Sequence, residues 1–67
     1  MSPKRNVESP KDLIKRLELE GWTRRPGKGD HVIYRKAGHS NVAIDTGARE
    51  VPIGTLRSIY KAAKWDW

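Results

Sequence analysis

Apolar positions recur in two periods along this chain. Leu13, Ile14 and Leu17 share one stripe at helical spacing, and Leu56, Ile59, Tyr60 and Ala63 do the same near the end. Between them the period shortens to two, where Val32 and Tyr34 alternate with His31, Ile33 and Arg35. The pattern predicts a helix, a stretch of short strands, and a second helix.

Local signals set the boundaries. Ser9 is an N-cap type, Pro10 suits the first helical turn, and Asp12 follows three residues after the cap. Gly21 ends that helix, as glycine does where the chain turns left-handed. Residues 22–25 read as a first strand, 26–30 as a glycine turn and 31–36 as a second strand rich in β-branched and aromatic residues. A turn at 37–40 leads to a third strand over 41–44, antiparallel because the connection is short. A loop over 45–50 then runs into the last helix. Residues 1–8, with Lys4 and Arg5 and no apolar period, are expected to be a basic N-terminal arm, and residues 9–67 a single domain.

Parity selects the core. Facing Val32 and Tyr34 inward avoids burying Arg35, and leaves Lys36 to reach out to water from a strand end. Trp22 is expected in the core, and Leu19 falls opposite the apolar stripe of its helix, where it is exposed. Arg57, Lys61 and Lys64 form a basic stripe on the outside of the last helix. Helix, three antiparallel strands and helix, with both helices on one face of the sheet, is an α+β fold. It is the α-β-β-β-α layout of double-stranded-RNA-binding domains.

Size and composition narrow the function. The chain has 67 residues, and a domain of that size buries only roughly 60% of its unfolded surface, which leaves no room for a large cofactor. The absence of cysteine excludes disulfides, thiolate metal sites and a cysteine nucleophile. No apolar run reaches the ~20 residues of a membrane span, and no signal-peptide core follows residues 1–5. A cytoplasmic protein without membrane contact is expected. Lys and Arg number 14 against 8 Asp and Glu, a formal charge of +6. Such an excess attracts polyanions, nucleic acid first.

The candidate chemistry lies where the glycine turn hands His31 to a strand between basic residues. By spacing alone, this is also how an ordinary hairpin begins. One histidine, turn amides and cations suffice for transesterification of RNA, because the ribose 2′-hydroxyl is a nucleophile the substrate carries itself. Histidine titrates near neutral pH and can move the proton. Lys28, Gly29, Arg24, Arg25, Arg35 and Lys36 are the candidates to hold RNA. Asp30 either orients His31, repels phosphate, or serves only the turn. His31 and His39 with Asp30 or Asp45 lack the spacing of a zinc site, and no metal or other cofactor is expected. Neither Ser40 nor Ser58 sits at a nucleophile elbow. For Trp65 and Trp67, base stacking, a partner contact and packing over the helix end all stay open. The competing readings are an RNA-binding module without chemistry, held through Arg57, Lys61, Lys64 and the arm, and a subunit whose basic face serves an acidic protein.

Three stretches together resemble the HicA family of toxin mRNA interferases from bacterial toxin–antitoxin pairs. Residues 13–22 look like its first helix and Gly-aromatic exit, 27–35 like its glycine loop, histidine and aromatic strand, and 54–59 like its second-helix signature. The resemblance implies a double-stranded-RNA-binding-like fold, with His31 at the catalytic histidine. It further implies ribosome-independent and metal-independent cleavage of mRNA. A HicB-type antitoxin would cover the active face and carry the recognition of operator DNA. The chain departs from the family in having Asp30 and Val32 where serine and a second histidine flank the catalytic one, and a less basic loop over 45–50.

Overall fold

In the computed structural model, residues 8–67 are described. The elements are α1 (Pro10–Leu19), β1 (Thr23–Pro26), β2 (His31–Arg35), β3 (Val42–Asp45) and α2 (Ile53–Ala63). The strands form one antiparallel sheet in the order β1-β2-β3. Both helices lie on one of its faces, the expected α+β arrangement. The basic arm expected over 1–8 falls outside the described residues except for Glu8. That residue bridges to Val51, whose N–H donates to the Glu8 carbonyl oxygen at 2.7 Å.

The helix signals act as read. The Ser9 hydroxyl accepts from the Asp12 N–H at 3.2 Å, and Pro10 occupies the first turn. Gly21 at φ +87° closes α1 in the left-handed region. α2 has no side-chain cap at Pro52. It ends on Lys64 at φ +61°, a conformation that costs a residue with a Cβ about 1 kcal/mol.

The core is the set of inward positions. Leu13, Leu17, Tyr34 and Leu56 are fully buried, with Val32, Val42, Ile44, Ile59 and Tyr60 around them. Leu19 stands 79% exposed, on the far side of α1 from that core. Tyr34 keeps its polar end satisfied by donating to the Glu18 carboxylate at 2.8 Å. Burial pushes its phenol above the ordinary value of 10, with the Glu18 carboxylate adding and the Arg24 guanidinium opposing.

Trp65 and Trp67 pack at the end of α2. The Trp65 indole N–H donates to the Glu20 carboxylate at 2.7 Å, and its ring lies 3.9 Å from the Arg16 guanidinium carbon. Tyr60 meets both tryptophans edge-on, at 5.2 and 5.3 Å between centroids. This cluster ties the end of the chain to α1. Trp22 is buried beneath β1 as expected, and its indole N–H has no partner among the described residues.

The first and third strands each shift by one residue, and the second ends at Arg35 rather than 36. The first strand begins at Thr23 rather than 22, and the third runs from Val42 to Asp45 rather than over 41–44. The shift of the third strand brings Asp45 out of the expected loop and into the sheet, opposite His31.

Candidate active site and nucleic-acid interface

The sheet has a covered face and an open one. Val32, Tyr34, Val42 and Ile44 point to the helices. His31, Ile33 and Arg35 of β2 alternate to the open side, with Ala43 and Asp45 beside them on β3 and Thr23 and Arg25 on β1. The open face therefore carries one histidine, two arginines and one carboxylate along three short strands.

The glycine turn fixes where His31 begins. Gly27 N–H donates to the His31 carbonyl oxygen and His31 N–H donates to the Lys28 carbonyl oxygen, both at 3.0 Å. A Cβ on Gly27 would lie 2.8 Å from that same His31 oxygen, so the close approach requires glycine. Gly29 takes φ +57°, which glycine adopts without strain. Lys28 and Gly29 form the exposed tip of the turn, next to His31 along the chain.

Because both backbone groups of His31 are bonded toward the turn, the His31–Asp45 pair is a non-hydrogen-bonded one. In such pairs the facing side chains come closest. The Asp45 carboxylate is held in place by the Gly47 N–H, which donates to Oδ1 at 2.9 Å. The His31 ring is exposed and has no hydrogen-bond partner among the described residues.

Asp30 does another job. Its carbonyl oxygen accepts from the Thr46 N–H at 2.8 Å and from the Thr46 hydroxyl. Its carboxylate lies against Gly47, where an added Cβ would meet Oδ2 at 2.8 Å. Asp30 thus clamps the turn to the loop after β3, and Asp45 is the carboxylate that shares the histidine's face.

Two hollows mark the ends of the sheet. One, of about 550 Å3, is lined by Thr23, Arg25, Arg35, Lys36, His39 and Asn41. His39 is set there by the edge of Trp22, 5.0 Å between centroids, and by Nδ1 at 3.0 Å from the Ala37 carbonyl oxygen. That oxygen only accepts, so Nδ1 carries the proton and Nε2 faces away from this contact. The other hollow, of about 380 Å3, has His31, Asp45, Glu50 and Thr55 at its rim. Its floor is Ile44, Val51 and Ile59.

The expected RNA-binding cations divide by face. Arg25 and Arg35 lie on the open face with His31. Arg24 sits opposite Tyr34, beside that residue's hydroxyl on the covered side. Lys36 also turns that way and donates its ammonium to the Glu20 carbonyl oxygen at 2.9 Å, although it still borders the larger hollow. His31 and His39 stand at opposite ends of β2, which spans roughly 13 Å at 3.3 Å per residue, so they cannot share one metal ion. Among the described residues no group of three or more His, Asp or Glu side chains is placed to hold a metal ion.

A family model described as the HicA toxin of bacterial toxin–antitoxin systems matches residues 10–65. The chain belongs to the HicA toxin family. The match spans every element of the fold, from the start of α1 to Trp65. No curated protein and no solved structure gives a significant match. Membership of the HicA family makes the chain a toxin of a toxin–antitoxin pair, whose partner is a HicB-type antitoxin. No helix among the described residues is long and apolar enough to cross a membrane.

Proposed function

We propose that this HicA-family chain is a metal-independent endoribonuclease that cleaves mRNA, with His31 as its general acid or base. The placement of His31 carries the reading. An exposed imidazole, unpartnered among the described residues, stands beside a glycine turn on the face that also holds Arg25 and Arg35. The RNA supplies the nucleophile. Its ribose 2′-oxygen attacks the adjacent phosphorus, the bond to the 5′-oxygen breaks, and a 2′,3′-cyclic phosphate and a 5′-hydroxyl result. His31 exchanges a proton with one of these two oxygens. Lys28 and the Gly29 N–H, at the tip of the turn, offer positive partners to the phosphate oxygens.

From His31 the strand leads past Arg25 to the basic hollow, and the flanking RNA follows that track. Arg24 and Lys36, turned to the other side, add to the attracting field rather than grip the strand. Lys4 and Arg5 add to the positive charge that attracts RNA. A HicB-type antitoxin silences the toxin by covering the His31 face, and operator DNA is read through the antitoxin. The reaction takes place in the cytoplasm, where mRNA is.

Expression of the chain without an antitoxin tests this reading. Growth arrest is expected, with RNA cut in EDTA to fragments ending in 2′,3′-cyclic phosphate. DNA, lacking the 2′-hydroxyl, is expected to stay intact. The exposed cations Arg57 and Lys61 on α2, with Lys64 at its C-cap, support a second reading, a binding module without chemistry. Steeply salt-dependent binding that leaves RNA uncut would favour it.

A further inference from the structure

The smaller hollow, at the His31 end, is built for a different chemical group from the larger one. Its floor is apolar, made by Ile44, Val51 and Ile59, each no more than 5% exposed. Its rim carries two carboxylates, Asp45 and Glu50, with the Thr55 hydroxyl, and no lysine or arginine lines it. In a chain of charge +6 this is a local inversion of sign. A phosphate placed there would face two carboxylates and no lysine or arginine. A flat, uncharged ring with outward N–H groups would cover the apolar floor and meet acceptors at the edge.

The donor pattern narrows the ring. One Asp45 oxygen already accepts from the Gly47 N–H. Glu50 has no such commitment among the described residues, so its carboxylate offers two adjacent acceptors. Guanine presents N1–H and N2–H side by side on one edge and fits both. Uracil flanks its single N–H with two carbonyl oxygens, which a carboxylate repels. The rim shared with His31 puts such a base next to the bond being cleaved.

We propose that this hollow is a nucleobase pocket that takes a guanine flanking the cleaved bond, with Glu50 accepting from its N1–H and N2–H. The proposal rests on the ribonuclease reading for its place beside the scissile phosphate. Its binding claim stands separately.

Two arms test it. In the first, the intact chain is titrated with guanosine, uridine and inorganic phosphate, and backbone amide NMR signals are followed. Guanosine is expected to shift Ala43, Asp45 and Thr55, uridine to leave them in place, and phosphate to move Arg25, Arg35 and His39 instead. In the second, RNAs that differ only in the base beside one cleavage site are compared. The wild-type chain is expected to prefer guanine over uracil by at least tenfold in kcat/KM. Both Glu50→Gln, which removes an acceptor, and Ala48→Leu, which fills the hollow, are expected to bring that ratio near one. Folding of each variant is checked by its melting temperature. Equal shifts with guanosine and uridine, hollow signals that respond to no nucleoside, or an unchanged ratio in both variants overturn the pocket. If the wild-type chain cuts no RNA at all, the ribonuclease reading fails, and the nucleoside titration still decides whether the pocket binds guanine.

Discussion

The two hollows lie at opposite ends of β2, the larger completed by β1 and the turns, the smaller by β3 and α2, and on the proposed reading they take different parts of a nucleotide. The larger one gathers Arg25, Arg35, Lys36 and His39 around an open polar floor. The smaller one sets Asp45 and Glu50 over Ile44, Val51 and Ile59. The cause lies in how each end of the sheet is finished. At the Arg35 end the strands run into turns, and most of the residues that line the hollow there are polar or charged. At the His31 end the edge strand β3 meets the first turns of α2, and the seam between them stays open over core side chains. Arginines stand at one end and carboxylates at the other, and on the proposed reading this gives the surface a direction, from phosphate grip to the bond being cleaved.

Changes at each end ought therefore to have separable effects. The largest, short of removing His31 itself, is expected from Gly27→Ala. Its Cβ would stand 2.8 Å from the His31 carbonyl oxygen, so the turn must shift. A loss of about 1–3 kcal/mol in stability is expected from overpacking of this kind, seen as a lower denaturation midpoint. Cleavage is expected to fall at least tenfold, because His31 moves with the turn. Next comes the pair Arg25→Ala with Arg35→Ala. RNA affinity is expected to drop with little change in stability, and the slope of log affinity against log salt to fall by about two. A slope that does not change would mean that the open face is not where the phosphates lie.

Lys36 separates charge from structure. Its ammonium caps the Glu20 carbonyl at the end of α1. Lys36→Met is expected to cost about 1 kcal/mol of stability, the usual worth of such a hydrogen bond, and to weaken RNA binding less than Arg35→Met does. The smallest effect lies away from both hollows. The Trp65 indole holds the Glu20 carboxyl below its ordinary value of 4.5, with Arg16 and Lys36 adding. A lowered carboxyl pKa contributes stability above the unfolded value, and that contribution fades as pH falls through the folded one. The difference in melting temperature between wild type and Glu20→Gln is therefore expected to be small at pH 7 and to shrink as the pH falls below the ordinary carboxyl value of 4.5.

Much of the fold was legible because its signals are local. The Ser9 cap, the Gly21 stop and the period of α2 each depend on a few adjacent residues, and each appears as read. The parity of β2 followed from the cost of burying Arg35, and Val32 and Tyr34 are indeed inward. The site was harder, because it depends on pairing. Asp30 is the neighbour of His31 in sequence, but it stands in the turn before β2, its carbonyl bonded to Thr46 and its carboxylate against Gly47. The partner in space is Asp45, which the strand register sets opposite His31, one step along from Asp30's bond to Thr46. Continuing the alternation of Val42 and Ile44 one residue further would have placed Asp45 on the histidine's face. The roles of Arg24 and Lys36 could not be read either. Both are cations on β strands or their ends, and only the tertiary contacts with Tyr34 and Glu20 show which way they turn. Trp65 was undecidable for the same reason, since its partners Arg16 and Glu20 lie on α1.

On the proposed reading one exposed histidine, His31, performs the chemistry. The most direct measurement is the rate of RNA cleavage, in EDTA, by wild type and His31→Ala at equal melting temperature. His31 is exposed and outside the core, so the variant is expected to fold. It is expected to cleave at least ~100-fold more slowly, the lower bound of what general acid–base catalysis contributes. A folded His31→Ala chain that cuts RNA at the wild-type rate would contradict it.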